Sequence, residues 1–209
     1  MITIALPKGR IAKDSLELFS KIFGCEFGFD DRKLILQKDG FRFLLVRSQD
    51  VITYVNYQAA DIGVVGLDVI EEHGILNTIK LLNLGIGNCK VVVGSEVDKN
   101  LDYQKPQIKI ATKMPIITHK HFSKKAIPIE IIKLYGSIEL APLVGLSDGI
   151  VDIVETGTTM QQNNLKIDEV IMESSAYLIA NQNSFYQKQR QLLDFSKKCS
   201  ELLKQTQNQ

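Results

Sequence analysis

Short apolar runs alternate along the first half of the chain with segments whose apolar residues recur every three or four positions. Residues 2–6 form an apolar run of strand length, and residues 11–23 place Ile11, Leu18 and Ile22 on one face of a helix. The Asp39–Gly40 pair predicts a hairpin turn. Further strands are predicted over 33–37, 41–46, 60–65, 78–84 and 89–93, and short helices over 51–57 and 67–74.

The second half of the chain repeats this alternation. Strands are predicted over 108–111, 129–134, 150–154 and 170–179, and helices over 115–122, 140–146, 160–165 and 184–203. Alternating strands and helices are typical of an α/β fold with a largely parallel sheet. Because the two halves carry similar sets of elements, we predict two α/β lobes with a cleft between them.

Size, charge and cysteine content narrow the class of protein. The 209 residues suffice for one large or two small domains, and a net charge of +1 gives no bulk attraction to nucleic acid or an anionic membrane. The apolar runs are too short for a transmembrane helix, and the N-terminal run favours a buried strand over a signal peptide. Three widely spaced cysteines match no metal or disulfide pattern and indicate a reducing, cytoplasmic compartment. We interpret His119 and His121 as part of a solvated, lysine-rich loop.

The segment 152–159 is the most informative local pattern. An apolar run that contains Asp152 ends at Glu155. The next residues are Thr156, Gly157, Thr158 and Thr159. Threonine hydroxyls and unpaired N–H groups at a helix start can bind phosphate, and the two carboxylates suit a ligand that carries hydroxyl groups, such as a phosphorylated ribose. The alternative is an ordinary turn with a threonine helix cap.

Cationic groups follow two other predicted strands. Lys8, Gly9 and Arg10 lie between the first strand and the first helix, and Arg47 occupies a similar position later in the chain. Ligands of open α/β sheets bind at the carboxyl ends of the strands, so these cations suit a polyphosphate. The alternative is a pair of helix-start loops with solvated basic residues.

Other charged residues near predicted strand ends are candidates that also have a structural alternative. Arg32 is a candidate for contact with the same polyphosphate, and the alternative is a surface charge cluster with Asp31 and Lys33. Asp68 and Glu139 each stand where a short helix begins, so each can contact a ligand or cap that helix. The chain has no Walker motif, no G-x-G-x-x-G and no apparent Ser-His-Asp or Cys-His set. We therefore expect a sugar phosphate on one lobe and a polyphosphate held partly by the other.

Six segments, taken together and in order, resemble the ATP phosphoribosyltransferase family. They are residues 6–10, 47–50, 60–66, 111–113, 136–142 and 152–159. Their order and spacing match the family over essentially the whole chain. We expect no further domain after the amphipathic segment 184–203, so the resemblance is to the short form, which lacks a C-terminal regulatory domain.

The resemblance implies the first step of histidine biosynthesis, in which N1 of ATP attacks C1 of phosphoribosyl pyrophosphate and releases pyrophosphate. It implies two periplasmic-binding-protein-like lobes with the active site in the cleft between them. We assign residues 1–90 with 176–209 to lobe I and residues 91–175 to lobe II. The resemblance also implies that Mg²⁺ is required, and we expect substrate phosphates to supply most of its ligands.

The resemblance also assigns roles to residues. Arg32, Arg47 and Lys8 are expected to contact the leaving pyrophosphate, with Gly9 and Arg10 nearby. The residues expected to hold the 5′-phosphate and the ribose are Asp152, Glu155, Thr156, Gly157, Thr158 and Thr159. The family pattern leaves open whether Asp152 or Glu155 contacts the ribose hydroxyls. Those expected as helix caps or purine-side contacts are Asp68, Glu71 and Glu139.

Short forms in this family associate with a regulatory subunit that resembles histidyl-tRNA synthetase and carries histidine feedback inhibition. The resemblance thus implies a homodimer within a hetero-oligomer. Two other hypotheses remain, and the first of them shares the predicted fold. A non-catalytic solute-binding protein would bind a small anion without turnover. A nucleotide sensor would bind a partner protein when its ligand is bound and would release no pyrophosphate.

Overall fold

Two separate β-sheets organise the fold. The computed structural model describes residues 1–30 and 32–207, and within them eleven strands and eight α-helices form two units. Unit 1 contains Met1–Gly87 and the segment that begins at Ser175, whereas unit 2 contains Asn88–Ser174. Unit 2 is therefore an insertion in the sequence of unit 1.

The elements follow one another in the alternating order typical of α/β proteins. The strands are β1 (Ile2–Pro7), β2 (Ile35–Lys38), β3 (Phe41–Val46), β4 (Ile62–Gly66), β5 (Thr78–Asn83), β6 (Cys89–Glu96), β7 (Ile108–Thr112), β8 (Ile129–Lys133), β9 (Gly149–Val154), β10 (Leu165–Ser174) and β11 (Ala176–Asn181). The helices are α1 (Arg10–Phe23), α2 (Val51–Asn56), α3 (Leu67–His73), α4 (Pro115–Lys124), α5 (Leu140–Leu143), α6 (Thr158–Gln162), α7 (Gln182–Gln187) and α8 (Gln189–Gln207). A 3₁₀ turn at Ser48–Asp50 precedes α2.

Both sheets are mixed. The strand order is β2-β3-β1-β4-β11-β5 in unit 1 and β10-β6-β9-β7-β8 in unit 2. Among the strands that the structure describes, only β3-β1-β4 and β9-β7-β8 pair in parallel. The α/β class is confirmed, but the prediction of a largely parallel sheet is wrong. One source of the error is segment 170–179, where one apolar pattern spans the end of β10 and the start of β11. These two strands lie in different sheets, and each pairs antiparallel with its neighbours. The pairing of β6 with β9 is antiparallel as well.

Phenylalanine side chains form much of the core of unit 1. Phe19 of α1, Phe43 of β3 and Phe195 of α8 are buried. The ring centroids of Phe19 and Phe195 lie 5.1 Å apart, edge to face, and those of Phe27 and Phe43 lie 4.9 Å apart. Each such ring contributes roughly 1.5–3 kcal/mol on burial. This packing holds α1 against the sheet and fixes the position at which α1 begins after β1.

Two helix predictions differ from the structure at their boundaries. The helix expected over 160–165 begins earlier, at Thr158, and ends at Gln162, so that Leu165 already belongs to β10. The amphipathic segment 184–203 is divided at Lys188 into α7 and α8. The side chain of Asn181 caps α7 by accepting the N–H of Ser184, a tertiary detail that the apolar pattern does not contain.

Neither histidine of the predicted solvated loop lies in a loop, because both belong to α4. The Nε2 atom of His121 lies 3.2 Å from Oε2 of Glu169 on β10, and Lys125 donates to the same oxygen. The hydrogen bond from Lys125, with further help from the charge of His121, lowers the pKa of Glu169. No helix within residues 1–30 and 32–207 has both the length and the apolar character needed to cross a membrane.

The lowered pKa of Glu169 predicts a pH-dependent contribution to stability. The ionised carboxylate stabilises unit 2 at pH values above its unfolded-state pKa, and this contribution is lost as the pH falls through the lower folded-state pKa. We expect Glu169→Gln to reduce the free energy of unfolding by about 1 kcal/mol or less at pH 7, since the pair is partly exposed. The difference from wild type should shrink between about pH 5 and 3 in urea titrations. Glu173→Gln is the matched control, since it removes another β10 carboxylate, which lies 3.9 Å from Nζ of Lys90. A difference for Glu169→Gln that stays constant with pH would contradict the assignment.

Candidate active site

The carboxyl ends of three parallel strands meet at one edge of the unit 2 sheet. β7 lies between β9 and β8, so the segments that follow these three strands lie side by side. A pocket of about 370 Å³ lies at this edge. Its lining residues are Lys113, Glu139, Asp152, Ile153, Val154, Glu155, Thr156, Gly157, Thr159 and Met160. Residues from all three segments line it, as expected for a ligand site in an α/β sheet.

Gly157 sets the shape of the hydroxyl-rich loop after β9. Its φ of 82° lies in the left-handed region, while nothing lies within 4 Å of the position that a Cβ would occupy. The backbone conformation, and not a lack of space, therefore favours glycine here. Thr156 and Thr159 line the pocket beside it. Thr158 is not among the lining residues, and its Oγ1 lies 2.9 Å from Oγ1 of Thr156.

Three carboxylates line the pocket with very different exposure. Asp152 is 8% exposed, Glu139 is half-buried and Glu155 is exposed. Glu139 immediately precedes α5, but no side chain caps that helix. The cap predicted as an alternative for Glu139 is therefore wrong, and its side chain belongs to the pocket lining.

Lys113 is a pocket residue that the sequence prediction did not single out. Its Nζ lies 3.0 Å from Oδ1 of Asp152, and the same oxygen accepts the N–H of Ile153 at 2.8 Å. Of the residues that the structure describes, Lys113 is the only lysine or arginine in this lining. A signal was present, because Lys113 ends segment 111–113 and directly follows β7, the parallel neighbour of β9.

Buried Thr112 fixes the turn that presents Lys113. Its Oγ1 donates to the carbonyl of Val151 at 2.8 Å and accepts the N–H of Met114 at 2.9 Å. One hydroxyl thus ties the end of β7 both to β9 and to the start of α4. The turn is held from two sides before any ligand binds.

In unit 1 the basic candidates also follow neighbouring parallel strands. β1 pairs with β3, and the N–H of Lys8 donates to the carbonyl of Val46 at 2.8 Å. Lys8 and Arg47 consequently lie at adjacent strand ends. Arg10 is the first residue of α1, and Gly9 directly precedes it. The side chains of Lys8, Arg10 and Arg47 are exposed at this edge.

Arg32 lies at the same edge because of the strand direction. β2 runs antiparallel to β3, so the segment before β2 lies beside the end of β3. Arg32 is exposed and has a φ of 63°. Asp31 lies outside the described residues, and Lys33 pairs with Asp30 at 2.5 Å. The structure thus brings Arg32, Arg47 and Lys8 to one edge of the unit 1 sheet.

Asp68 and Glu71 lie on α3, which follows β4 at this edge. Asp68 is the second residue of the helix, and Gly66 occupies the N-cap position without a side-chain cap. The predicted cap role of Asp68 is therefore wrong. The Asp68 carboxylate is buried and occupies the space that a Cβ on Gly66 would need, so a side chain at position 66 would displace that carboxylate. Glu71 is exposed one turn further along.

Sequence comparison shows which known proteins this chain resembles. A family model described as ATP phosphoribosyltransferase matches residues 47–206. The ATP phosphoribosyltransferase of Helicobacter hepaticus is 74% identical over 193 residues, which make up 92% of this chain and 94% of that protein. The chain belongs to the ATP phosphoribosyltransferase family.

Solved structures agree with this assignment. A chain of the ATP phosphoribosyl transferase (HisG:HisZ) complex from Thermotoga maritima matches with a TM-score of 0.85 and 31% identity, over 98% of this chain and 100% of that chain. The periplasmic aliphatic sulphonate binding protein of Escherichia coli matches with a TM-score of 0.65 and 11% identity, over 99% of this chain and 74% of that chain, which concerns the fold alone. The periplasmic-binding-protein-like fold is confirmed. So is the expected activity, since members of the ATP phosphoribosyltransferase family are pentosyltransferases that act in the first step of histidine biosynthesis.

The pocket chemistry bears on the divalent metal that the ATP phosphoribosyltransferase family needs. Within residues 1–30 and 32–207, no three or more His, Cys, Asp and Glu side chains are grouped so as to hold a metal ion. The carboxylates of the pocket are nevertheless the hard oxygen ligands that such an ion prefers, and one or two carboxylates commonly share it with substrate phosphates. The residues present therefore fit a metal that arrives with substrate phosphates.

The hydrogen bonds of Thr112 predict that substitution by valine affects stability differently at two buried threonines, Thr112 and Thr78. Thr112→Val leaves the N–H of Met114 and the carbonyl of Val151 without their partner, so the free energy of unfolding should fall by about 1–3 kcal/mol. The matched control is Thr78→Val, because Oγ1 of Thr78 is buried and has no hydrogen-bond partner among the described residues. Urea denaturation should show Thr78→Val to be neutral or stabilising. Equal losses for both variants would show that the Thr112 bonds do not matter.

Proposed function

We propose that this chain condenses ATP with 5-phosphoribosyl 1-pyrophosphate to N1-(5-phosphoribosyl)-ATP and pyrophosphate. The observation that carries the proposal is the unit 2 pocket, where threonine hydroxyls and three carboxylates line one cavity in a member of this family. Hydroxyl and N–H donors suit a phosphate, whereas carboxylates accept hydrogen bonds from sugar hydroxyls. This combination favours a phosphorylated sugar over a plain anion.

The phosphoribosyl group is assigned to the loop after β9. Thr156, Gly157 and Thr159 line the pocket and would hold the 5′-phosphate. Thr158 would act through its contact with Thr156, since the two hydroxyl oxygens lie 2.9 Å apart. Asp152 and Glu155 are the carboxylates proposed for the ribose side. Their different burial, 8% exposure for Asp152 against an exposed Glu155, favours separate tasks.

The departing pyrophosphate is assigned to the cationic edge of unit 1. The bond between ribose C1 and the pyrophosphate oxygen breaks with its electron pair on the oxygen, while N1 of ATP forms a bond to C1. Arg47, Arg32 and Lys8 would stabilise the negative charge that grows on that oxygen, and such electrostatic stabilisation is usually the largest catalytic term. Arg10 and the backbone at Gly9 would contact neighbouring phosphates. N1 is itself the nucleophile, so the principal task of the protein is to position two anionic substrates.

The remaining carboxylates are assigned to the nucleotide. Asp68 and Glu71 lie on α3 at the edge that carries Lys8 and Arg47, and Glu139 lines the unit 2 pocket. We propose purine-side contacts for all three. Mg²⁺ is the proposed ion and would supply charge neutralisation to the pyrophosphate. The exposed carboxylate of Glu155 would add one or two oxygen ligands to those of the substrate phosphates.

Assembly and location complete the proposal. The related Thermotoga maritima chain was solved in a HisG:HisZ complex and is matched along its whole length. This supports a regulatory subunit of the histidyl-tRNA-synthetase-like kind for the present chain, with a homodimer inside the hetero-oligomer. A cytoplasmic location is supported by Cys25, Cys89 and Cys199, which are free thiols as expected in a reducing compartment.

A direct assay tests the proposed reaction. The purified chain, incubated with ATP, phosphoribosyl pyrophosphate and Mg²⁺, should raise the absorbance of the adenine chromophore and release pyrophosphate. Mass spectrometry should find phosphoribosyl-ATP, and omission of phosphoribosyl pyrophosphate is the control. Absence of product, both for the chain alone and for the chain with its co-purified partner, would rule the reaction out.

Substitution of Arg47 distinguishes a catalytic role of this residue from a structural one. Arg47→Ala should lower kcat by about a hundredfold or more, because it removes a cation from the leaving-group side. The melting temperature should change little, because the side chain is exposed. Arg190→Ala is the matched control, because Arg190 is also exposed but lies near the opposite end of β1. Its position follows from Lys188, two residues earlier, whose Nζ donates to the carbonyl of Met1. A large loss of stability in Arg47→Ala, with normal specific activity, would show that Arg47 is structural.

A further inference from the structure

Lys113 and Asp152 form an anchored ion pair in the wall of the unit 2 pocket. The Asp152 side chain is 11% exposed, whereas the Lys113 side chain is 41% exposed. The carboxylate is thus the buried member of the pair, and the ammonium is the member within reach of a ligand. An ordinary surface salt bridge exposes both partners and contributes little. This pair is arranged differently, with a fixed anion behind an accessible cation.

The backbone around the pair is fixed independently of any ligand. Oδ1 of Asp152 is held by the N–H of Ile153 as well as by Lys113. On the lysine side, Thr112 and Val151 are register partners in the β7-β9 pairing and are also joined by the Thr112 hydroxyl. Both members of the pair are consequently attached to positions that the sheet itself determines. Such preorganisation is what a binding site needs, because a mobile lysine would lose entropy on binding.

The charge balance of the pocket shows why a cation is needed there. Among the residues that the structure describes in its lining, Glu139, Asp152 and Glu155 carry negative charge and Lys113 alone carries positive charge. A phosphate that entered without Lys113 would meet neutral donors and carboxylates only. Repulsion between like charges would then oppose binding, and it strengthens where water is partly excluded. The single ammonium therefore has a large share in deciding whether a phosphate can bind beside three carboxylates.

We propose that Lys113 binds the 5′-phosphate of the phosphoribosyl donor and that Asp152 is a positioning residue, which holds the Lys113 ammonium at the pocket. The donor's identity rests on the proposed function, whereas the phosphate contact rests on the pocket alone. Asp152 acts through Lys113 in this arrangement, and exposed Glu155 remains for the ribose hydroxyls. The ion pair thereby gives the two carboxylates different roles, positioning for Asp152 and ribose binding for Glu155.

Binding of ribose 5-phosphate, measured by calorimetry, tests the contact without requiring turnover. Lys113→Met keeps the apolar stem and removes the charge, so ribose 5-phosphate should bind about ten- to a hundredfold more weakly. Binding of ATP should change by less than about twofold, because the loss is confined to the phosphoribosyl side. Lys113→Arg should retain most of the affinity. Lys109→Met is the matched control, since Lys109 is an exposed lysine near the other end of β7, and it should bind as wild type does.

A double-mutant cycle tests the positioning role of Asp152. Asp152→Asn should weaken ribose 5-phosphate binding in the wild-type background and have little further effect when combined with Lys113→Met. A purely structural role for Asp152 would lower the melting temperature and would affect binding equally in both backgrounds. If Lys113→Met does not fold, as judged by circular dichroism, Lys113→Gln and Lys113→Arg carry the same comparison.

The outcomes separate this inference from the proposed reaction. Unchanged ribose 5-phosphate affinity in Lys113→Met, or equal weakening of ATP and ribose 5-phosphate, would overturn the role of Lys113. A wild-type chain that does not bind ribose 5-phosphate would overturn it as well. If wild type forms no phosphoribosyl-ATP but Lys113→Met still weakens ribose 5-phosphate binding selectively, the Lys113 contact stands and the proposed reaction fails.

Discussion

Parallel pairing of strand ends is the constraint on which both candidate binding edges depend. In unit 1, Pro7 is the register partner of Val46, and the next residues along the two strands are Lys8 and Arg47. In unit 2, Thr112 is the register partner of Val151, and Lys113 and Asp152 follow. A slip of one residue in either pairing would turn every side chain to the other face of its sheet. Burial of both apolar faces makes such a slip costly, so hydrophobic packing far from the ligand sets the spacing of the charged groups.

The unit 2 pocket combines groups that favour different kinds of ligand. Its carboxylates favour hydroxyl-bearing ligands and disfavour free phosphate or pyrophosphate, whereas its threonines and lysine favour phosphate. A ligand that offers both groups at the right spacing satisfies both sets. Selectivity built in this way depends as much on repelling the wrong anion as on attracting the right one. The carboxylates therefore act against the binding of inorganic phosphate, which carries no sugar hydroxyl groups.

Local patterns in the sequence predicted those features whose physical cause is itself local. The hairpin at Asp39–Gly40 exists as β2 and β3 because a two-residue turn of this type needs only those residues. The hydroxyl-rich loop around Gly157 could be predicted for the same reason. Two features that depend on pairing between distant segments were not predicted. Lys113 meets Asp152 only because β7 and β9 are neighbours, and segment 170–179 is divided because two sheets compete for one apolar pattern.

The insertion of unit 2 within unit 1 has a consequence for the order of folding. In the sheet order of unit 1, β11 lies between β4 and β5, and the described part of β5 pairs with β11 alone. A ribosome therefore completes all of unit 2 before it delivers the strand that joins β5 to the rest of unit 1. During synthesis, β5 and the exposed side of β4 must wait as open edges, which are hazards for aggregation. The sheet of unit 1 is therefore completed only when β11 is synthesised, after β1 to β5 and all of unit 2.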